Sequence, residues 1–140
     1  MFNQLLYISA CLLALVTSFR LQGVAVKGIT YCGNITLRNT KIKLYDIDTN
    51  PGDADDLLDE KYTDKDGEFR VDGTTREFTD IDPVLYIYHD CNDGIRPCQK
   101  RWTYIIPKSF IHHGKASKWY DLGKINLNTT HPNEDRSCNH

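Results

Sequence analysis

Beyond one apolar run near its start, this 140-residue chain has no hydrophobic segment long enough to anchor it in a bilayer, no internal repeat and no low-complexity tract. It also has no sustained apolar period of 3.6 residues, which argues against a helical or βαβ architecture. No Ser, Cys or Asp sits in a recognisable nucleophile motif, and the histidines are not spaced as a metal pair. His112 and His113 are adjacent, so a strand turns them to opposite faces and a helix gives them no shared one. Asp46-Ile47-Asp48-Thr49-Asn50 begins like a calcium loop. Pro51, where that loop needs Gly, and Leu57, where it needs a bidentate Glu, exclude an EF-hand. The acidic run at residues 53–56 would gather calcium only if other ligands folded onto it. Asp64-Lys65-Asp66-Gly67-Glu68 reads as a tight turn with Gly67 at positive φ. The sequence thus calls for no catalytic residue, metal or cofactor.

The apolar run covers residues 5–16 and is followed by Val16-Thr17-Ser18, small enough for signal-peptidase cleavage. The expectation is a signal peptide over residues 1–18, cut after Ser18, and one soluble domain over residues 19–140 that is secreted and not membrane-spanning. Cys11 then leaves with the signal. Cys32, Cys91, Cys98 and Cys138 remain, an even number suited to an oxidising compartment. Of the three pairings, Cys91 with Cys98 and Cys32 with Cys138 is the one expected. The first would close a loop of about eight residues and contribute roughly 2.5 kcal/mol, the second roughly 5 kcal/mol by holding down the polar tail. Asn34-Ile35-Thr36 and Asn128-Thr129-Thr130 are glycosylation sequons, so Asn34 and Asn128 are candidate glycan acceptors.

What is present is a series of short alternating segments bounded by turn residues. Val24, Val26 and residues 28–31 form the first. Residues 41–48 turn Ile42 and Leu44 inward and the lysines outward, and Asn50-Pro51-Gly52 ends that strand. Residues 57–62 form an edge strand, and residues 68–71, 83–90, 102–106 and 121–127 follow. Residues 109–117 leave room only for a helical turn. In residues 83–90, Leu85, Ile87 and His89 share a face and make His89 a satisfied, semi-buried imidazole. Trp102, Tyr104 and Ile106 share a face more suited to core than to binding.

Several of these segments occur together in an order that closely resembles the nematode transthyretin-like family: VKG at residues 26–28, KIKLYDID at 41–48, DADDLLDE at 53–60, TDKDGEF at 63–69, EFTDIDP at 77–83 and LYIYHDC at 85–91. Then come Cys98, IPKSFI at 106–111, DLGKINL at 121–127 and Cys138. The resemblance implies an all-β, prealbumin-like sandwich of seven to eight strands, disulfide-stapled and extracellular. It implies much less about ligand, although some members of that family are thought to act as extracellular adaptors or signals at cell surfaces. The hydroxyisourate hydrolases of a related branch end in Tyr-Arg-Gly-Ser and carry a histidine on the first strand. This chain ends Asp135-Arg136-Ser137-Cys138-Asn139-His140 and has no histidine at residues 24–28, so the groups for that acid–base chemistry are missing. Carriage of a small hydrophobic ligand, as in transthyretin, is a further alternative and would need a homo-oligomer with a central cavity.

Charge is distributed unevenly. Residues 46–82 hold fourteen Asp and Glu against Lys61, Lys65, Arg70 and Arg76, whereas residues 94–120 hold no acid and the bases Arg96, Lys100, Arg101, Lys108, Lys115 and Lys118. Either the molecule is bipolar, or acidic and basic strands are neighbours that cancel. Nucleic acid fits the charges but not an exported protein. The expectation is a non-enzymatic binding protein, an adaptor or signalling ligand whose partner is a receptor or an anionic membrane surface. Its contact region is the loop from Cys91 to Cys98 together with Arg96, Lys100, Arg101 and Lys108.

Overall fold

The computed structural model describes residues 3–10, 19–48 and 54–140. Residues 3–10 are helical, and among the described residues no helix is long and apolar enough to cross a membrane. The expected cleavage point after Ser18, Cys11 and the Asn50-Pro51-Gly52 turn lie outside the described residues.

The described residues form ten strands: β1 (Arg20–Cys32), β2 (Ile35–Thr36), β3 (Lys41–Asp46), β4 (Asp56–Tyr62), β5 (Glu68–Glu77), β6 (Pro83–His89), β7 (Gln99–Ile105), β8 (His112–His113), β9 (Tyr120–Asn126) and β10 (Glu134–Ser137). They form two five-stranded sheets. In one, β1 is the hub, paired antiparallel with β2, β5 and β8 and parallel with β9. The other runs β10-β7-β6-β3-β4, antiparallel throughout. The chain crosses repeatedly between sheets, so neither sheet is a contiguous stretch of sequence.

The count exceeds the seven to eight expected because β2 and β8 are two-residue ladders and β10, Glu-Asp-Arg-Ser, carries no apolar residue that alternation could reveal. Elsewhere alternation builds the core. Val24, Val26, Phe69, Val71, Ile125 and Leu127 from the first sheet meet Ile42, Leu44, Leu85, Ile87, Trp102 and Ile106 from the second, all buried. Residues 57–62 fall within the edge strand β4, as expected, whereas β5 runs six residues beyond the expected end at Val71, to Glu77. Residues 108–110 form the single 3-10 turn of the region where only a helical turn fitted.

The outward face of the second sheet is less solvated than a pattern of outward lysines implies. Lys43 is 8% exposed, with its ammonium 5.9 Å from the ring centres of Tyr45 and Tyr88 and 3.4 Å from Glu60. Between β4 and β5 the turn closes as expected. Gly67 has φ of 75°, its N–H donates to the Asp64 carbonyl, and the Asp64 carboxylate accepts from the N–H groups of Asp66 and Glu68.

Candidate functional site

The disulfides join Cys32 to Cys91 and Cys98 to Cys138, with Cα separations of 5.7 and 4.4 Å. The expected pairing, Cys91 with Cys98 and Cys32 with Cys138, is therefore wrong, and strand geometry gives the reason. The alternation that turns Leu85, Ile87 and His89 inward continues to Cys91, which is 5% exposed and faces the end of β1, where Cys32 lies. Cys98 immediately precedes β7, and Gln99 pairs with Ser137, so the β7–β10 register brings Cys138 beside it. Proximity in sequence was a poorer guide than the period of two.

Both bridges consequently end on the loop between β6 and β7, and polar contacts complete its bracing. The Arg136 guanidinium forms a two-pronged ion pair with Asp93, whose side chain is 1% exposed, with one hydrogen bond of 2.8 Å. This guanidinium holds the Asp93 carboxyl below the usual carboxylate range. Arg136 also donates to the Cys98 carbonyl at 3.0 Å, Asp93 N–H to the Asp90 carbonyl at 3.1 Å, and Gln99 to the Asp90 carboxylate at 2.8 Å. Asn92 and Cys98 sit at φ of 53° and 65°, a backbone shape that a non-glycine residue holds only when its surroundings fix it.

What this frame presents is short. Gly94, Ile95, Arg96 and Pro97 are all exposed, Ile95 in full. The Arg96 guanidinium makes no hydrogen bond or ion pair among the described residues. An open groove of about 380 Å³ runs beside the loop, walled in part by the Cys32–Cys91 bridge, Leu37, Arg38, Tyr88 and Asp90.

The other expected contact residues do not join Arg96. Lys100 donates to the Cys91 carbonyl at 3.2 Å. Arg101 forks onto Asp135, with its Nε 2.8 Å from the carboxylate, and lies 4.6 Å from the Tyr86 ring centre. Its pKa is pushed up by the hydrogen bond to Asp135. Lys108 is 3.2 Å from Asp82, just before β6, whereas Lys100 stands opposite His89 at the far end of that strand. Seven residues of β6 hold those ends roughly 20 Å apart. Of the two charge readings, neither is complete: the basic residues are split between both ends of the sandwich, Arg101 pairs with Asp135 from outside the residue 46–82 stretch, Lys108 pairs with Asp82 from within it, and the other four form no ion pair among the described residues.

His89 also differs from expectation. It is 3% exposed and not semi-buried, and only half satisfied: Nδ1 accepts the Cys91 N–H at 3.1 Å while Nε2 has no partner. Burial, helped by the Lys100 charge, lowers its pKa to about 4. The Trp102 ring meets it at right angles with centroids 5.4 Å apart. Trp102 and Ile106 are core residues as expected, and Tyr104 packs partly buried against the core. His112 and His113 fall on β8, in the strand arrangement considered from the sequence.

At the opposite end, Asp46, Asp56 and Glu77 bring carboxylate oxygens within 4.8 Å of one another. The fold thus supplies to the acidic run the neighbours that sequence alone did not, although Asp53 lies outside the described residues. Burial raises the pKa of Asp46 and of Glu77, and the surrounding carboxylates add to both. The sequon residues Asn34 and Asn128 are both exposed, and the Asn128 amide lies beside Gly33, at the same end as the braced loop.

Sequence reasoning missed Asp93, Arg136, Asp135 and Ile95. The first three lie in polar stretches with no periodic signal, and Ile95 is a lone apolar residue between turn formers. That isolation was the available signal, because no strand phase could bury it.

Comparison with known proteins gives a consistent result. The family model described as "TTR-52: Transthyretin-like family" matches residues 27–107. Transthyretin-like protein 33 of Caenorhabditis elegans is 50% identical over 120 residues, 85% of this chain and 83% of its own length. Transthyretin-like protein 46 is 44% identical over 136 residues, 96% of this chain and 75% of its own. Transthyretin-like protein 5 is 44% identical over 120 residues, 85% and 86% respectively. Both are also from Caenorhabditis elegans.

Proposed function

The chain belongs to the transthyretin-like family, and we propose that it is a secreted, non-enzymatic binding protein: an extracellular adaptor or signalling ligand that contacts a cell-surface component through the loop between Cys91 and Cys98. The observation that carries this reading is the tip of that loop. A fully exposed Ile95 and an unpaired Arg96 stand on backbone fixed from both sides by disulfides and by the Asp93–Arg136 pair. Loops held by a rigid scaffold are where binding residues concentrate.

Two disulfides and the apolar residues 5–16 support export through an oxidising compartment. Asn34 and Asn128 are read as glycan acceptors on exposed turns at the same end. Arg101 and Lys108 drop out of the contact because each is paired with a carboxylate, and Lys108 also stands at the other end of the sandwich; Lys100 keeps its charge but is turned back onto the Cys91 carbonyl. Of the four expected basic residues, Arg96 is the one whose side chain has no internal partner among the described residues.

The test is saturable binding of fluorescently labelled protein to intact cells dissociated from Caenorhabditis elegans, measured over a range of salt. Arg96→Ser should weaken binding and flatten its salt dependence, while Lys108→Ser, at the other end, should leave both unchanged. Absence of any saturable binding would overturn the adaptor reading.

A further inference from the structure

We infer that the cell-surface component is a protein, and that Ile95 is the anchor side chain seated in an apolar pocket of that protein with a carboxylate on the rim to meet Arg96. This rests on the adaptor reading above and adds the class of partner. An anionic bilayer is the competing class, and the geometry of the tip separates the two.

Bracing has value only for a shaped partner. A fluid bilayer accepts an apolar side chain in any orientation, so a fixed backbone adds nothing to partitioning. A pocket rewards a tip already held in its bound form, because no loop entropy is lost on association. Here the bracing is heavy relative to what it presents. Two disulfides, a two-pronged ion pair with a buried Asp93 and the backbone hydrogen bonds from Asp93 to Asp90 and from Arg96 to Asp93 all serve four exposed residues.

The apolar content points the same way. A myristoyl chain, several times longer than the Ile95 side chain, gives only marginal and reversible membrane attachment by itself. The cations of the loop and its groove that no carboxylate pairs are Arg38, Arg96 and Lys100, fewer than the roughly four to eight of a polybasic patch that could supplement it, since Arg101 and Arg136 are paired with Asp135 and Asp93. An apolar knob with the unpaired Arg96 next to it in sequence matches a protein hot spot, where one anchor fills a pocket and its charged neighbour reads the rim.

The experiment compares wild type, Ile95→Ser and Cys98→Ala/Cys138→Ala on three probes: intact cells, the same cells stripped of surface protein by protease, and vesicles of phosphatidylcholine and phosphatidylserine in equal parts. Wild type should bind intact cells and lose saturable binding on stripped cells and on vesicles. Ile95→Ser, at a position with no contacts to disturb, should bind intact cells about thirty-fold more weakly, which is about 2 kcal/mol. The double cysteine variant should also bind more weakly, because its tip is loosened. Equal affinity for vesicles and cells, undiminished binding to stripped cells, or wild-type affinity of Ile95→Ser overturns the protein-pocket inference and leaves the adaptor reading standing. No saturable binding of wild type to intact cells overturns both.

Discussion

Acidification is the perturbation that the interior of this sandwich is least prepared for, and His89 sets the size of the response. Its Nδ1 accepts the Cys91 N–H, so the neutral ring carries its proton on Nε2, and a second proton would have to be placed on Nδ1 against that donor. Burial and the Lys100 charge hold the folded-state pKa at about 4, against an ordinary value of 6.5. With the folded value depressed, the unfolded chain takes up the proton first as pH falls. The stabilisation is thus complete above 6.5 and is lost progressively down to about 4. At about 1.4 kcal/mol per pH unit the loss is on the order of 3 kcal/mol, a large fraction of the stability of a domain this size. Asp46 and Glu77 oppose it, because a raised carboxyl pKa stabilises the fold at low pH and loses that contribution as pH rises. Asp93, with its lowered pKa, acts in the same sense as His89 but in the carboxylate range. The histidine is isolated by comparison with His89→Asn, whose amide oxygen keeps an acceptor for Cys91 N–H and cannot titrate. Urea unfolding of both proteins between pH about 7 and about 4 should show wild type losing on the order of 3 kcal/mol more than the variant. Parallel pH curves would refute the reasoning.

Three further outcomes are expected. Non-reducing peptide mapping should recover Cys32 with Cys91 and Cys98 with Cys138, and replacing Cys98 and Cys138 by Ala, 40 residues apart, should cost about 4 kcal/mol in urea unfolding; a loss below about 1 kcal/mol would count against the chain-entropy account. Asp46→Asn keeps an acceptor for the Asp82 N–H and removes one charge from the carboxylate cluster, so it should raise the urea midpoint at neutral pH, with the gain fading as pH falls through the carboxylate range. Gly67→Ala would place a Cβ 2.5 Å from the Thr30 carbonyl oxygen at φ of 75° and should cost about 1 kcal/mol or more, read from the same unfolding curves.

The strands that alternation made legible are those whose apolar residues face a core. β3 and β6 place Ile42, Leu44, Leu85 and Ile87 on the inward side, and that phase is written in the residue types. β10 carries no such phase. It is a strand because Cys138, Asp135 and Arg136 tie it to β7 and to the loop, which are long-range facts about other segments. The second half of β5, residues 72–77, was missed for a related reason: Thr74 and Thr75 favour a strand, but Asp72, Gly73, Arg76 and Glu77 do not and none of the six supplies an apolar alternation, so the ladder to β1 decides it. At the candidate site, the choice of loop was readable from its cysteines and turn residues. Which cations remained free was not, because the carboxylates that pair Arg101 and Lys108 and the carbonyl that holds Lys100 are brought within reach only by the folded register.

The bridge pattern also fixes how the molecule would carry tension. A pull applied between residues 19 and 140 travels along β1 to Cys32, crosses to Cys91, rounds the loop to Cys98, crosses to Cys138 and leaves by the last residues. β3 to β7 and β9 hang outside that covalent path and feel the load only through their hydrogen bonds and packing. Ile95 and Arg96 sit on the path itself. A partner gripping the tip would be coupled to both ends of the chain through bonds that do not yield, so a surface tethered there could be pulled on without the sandwich having to open.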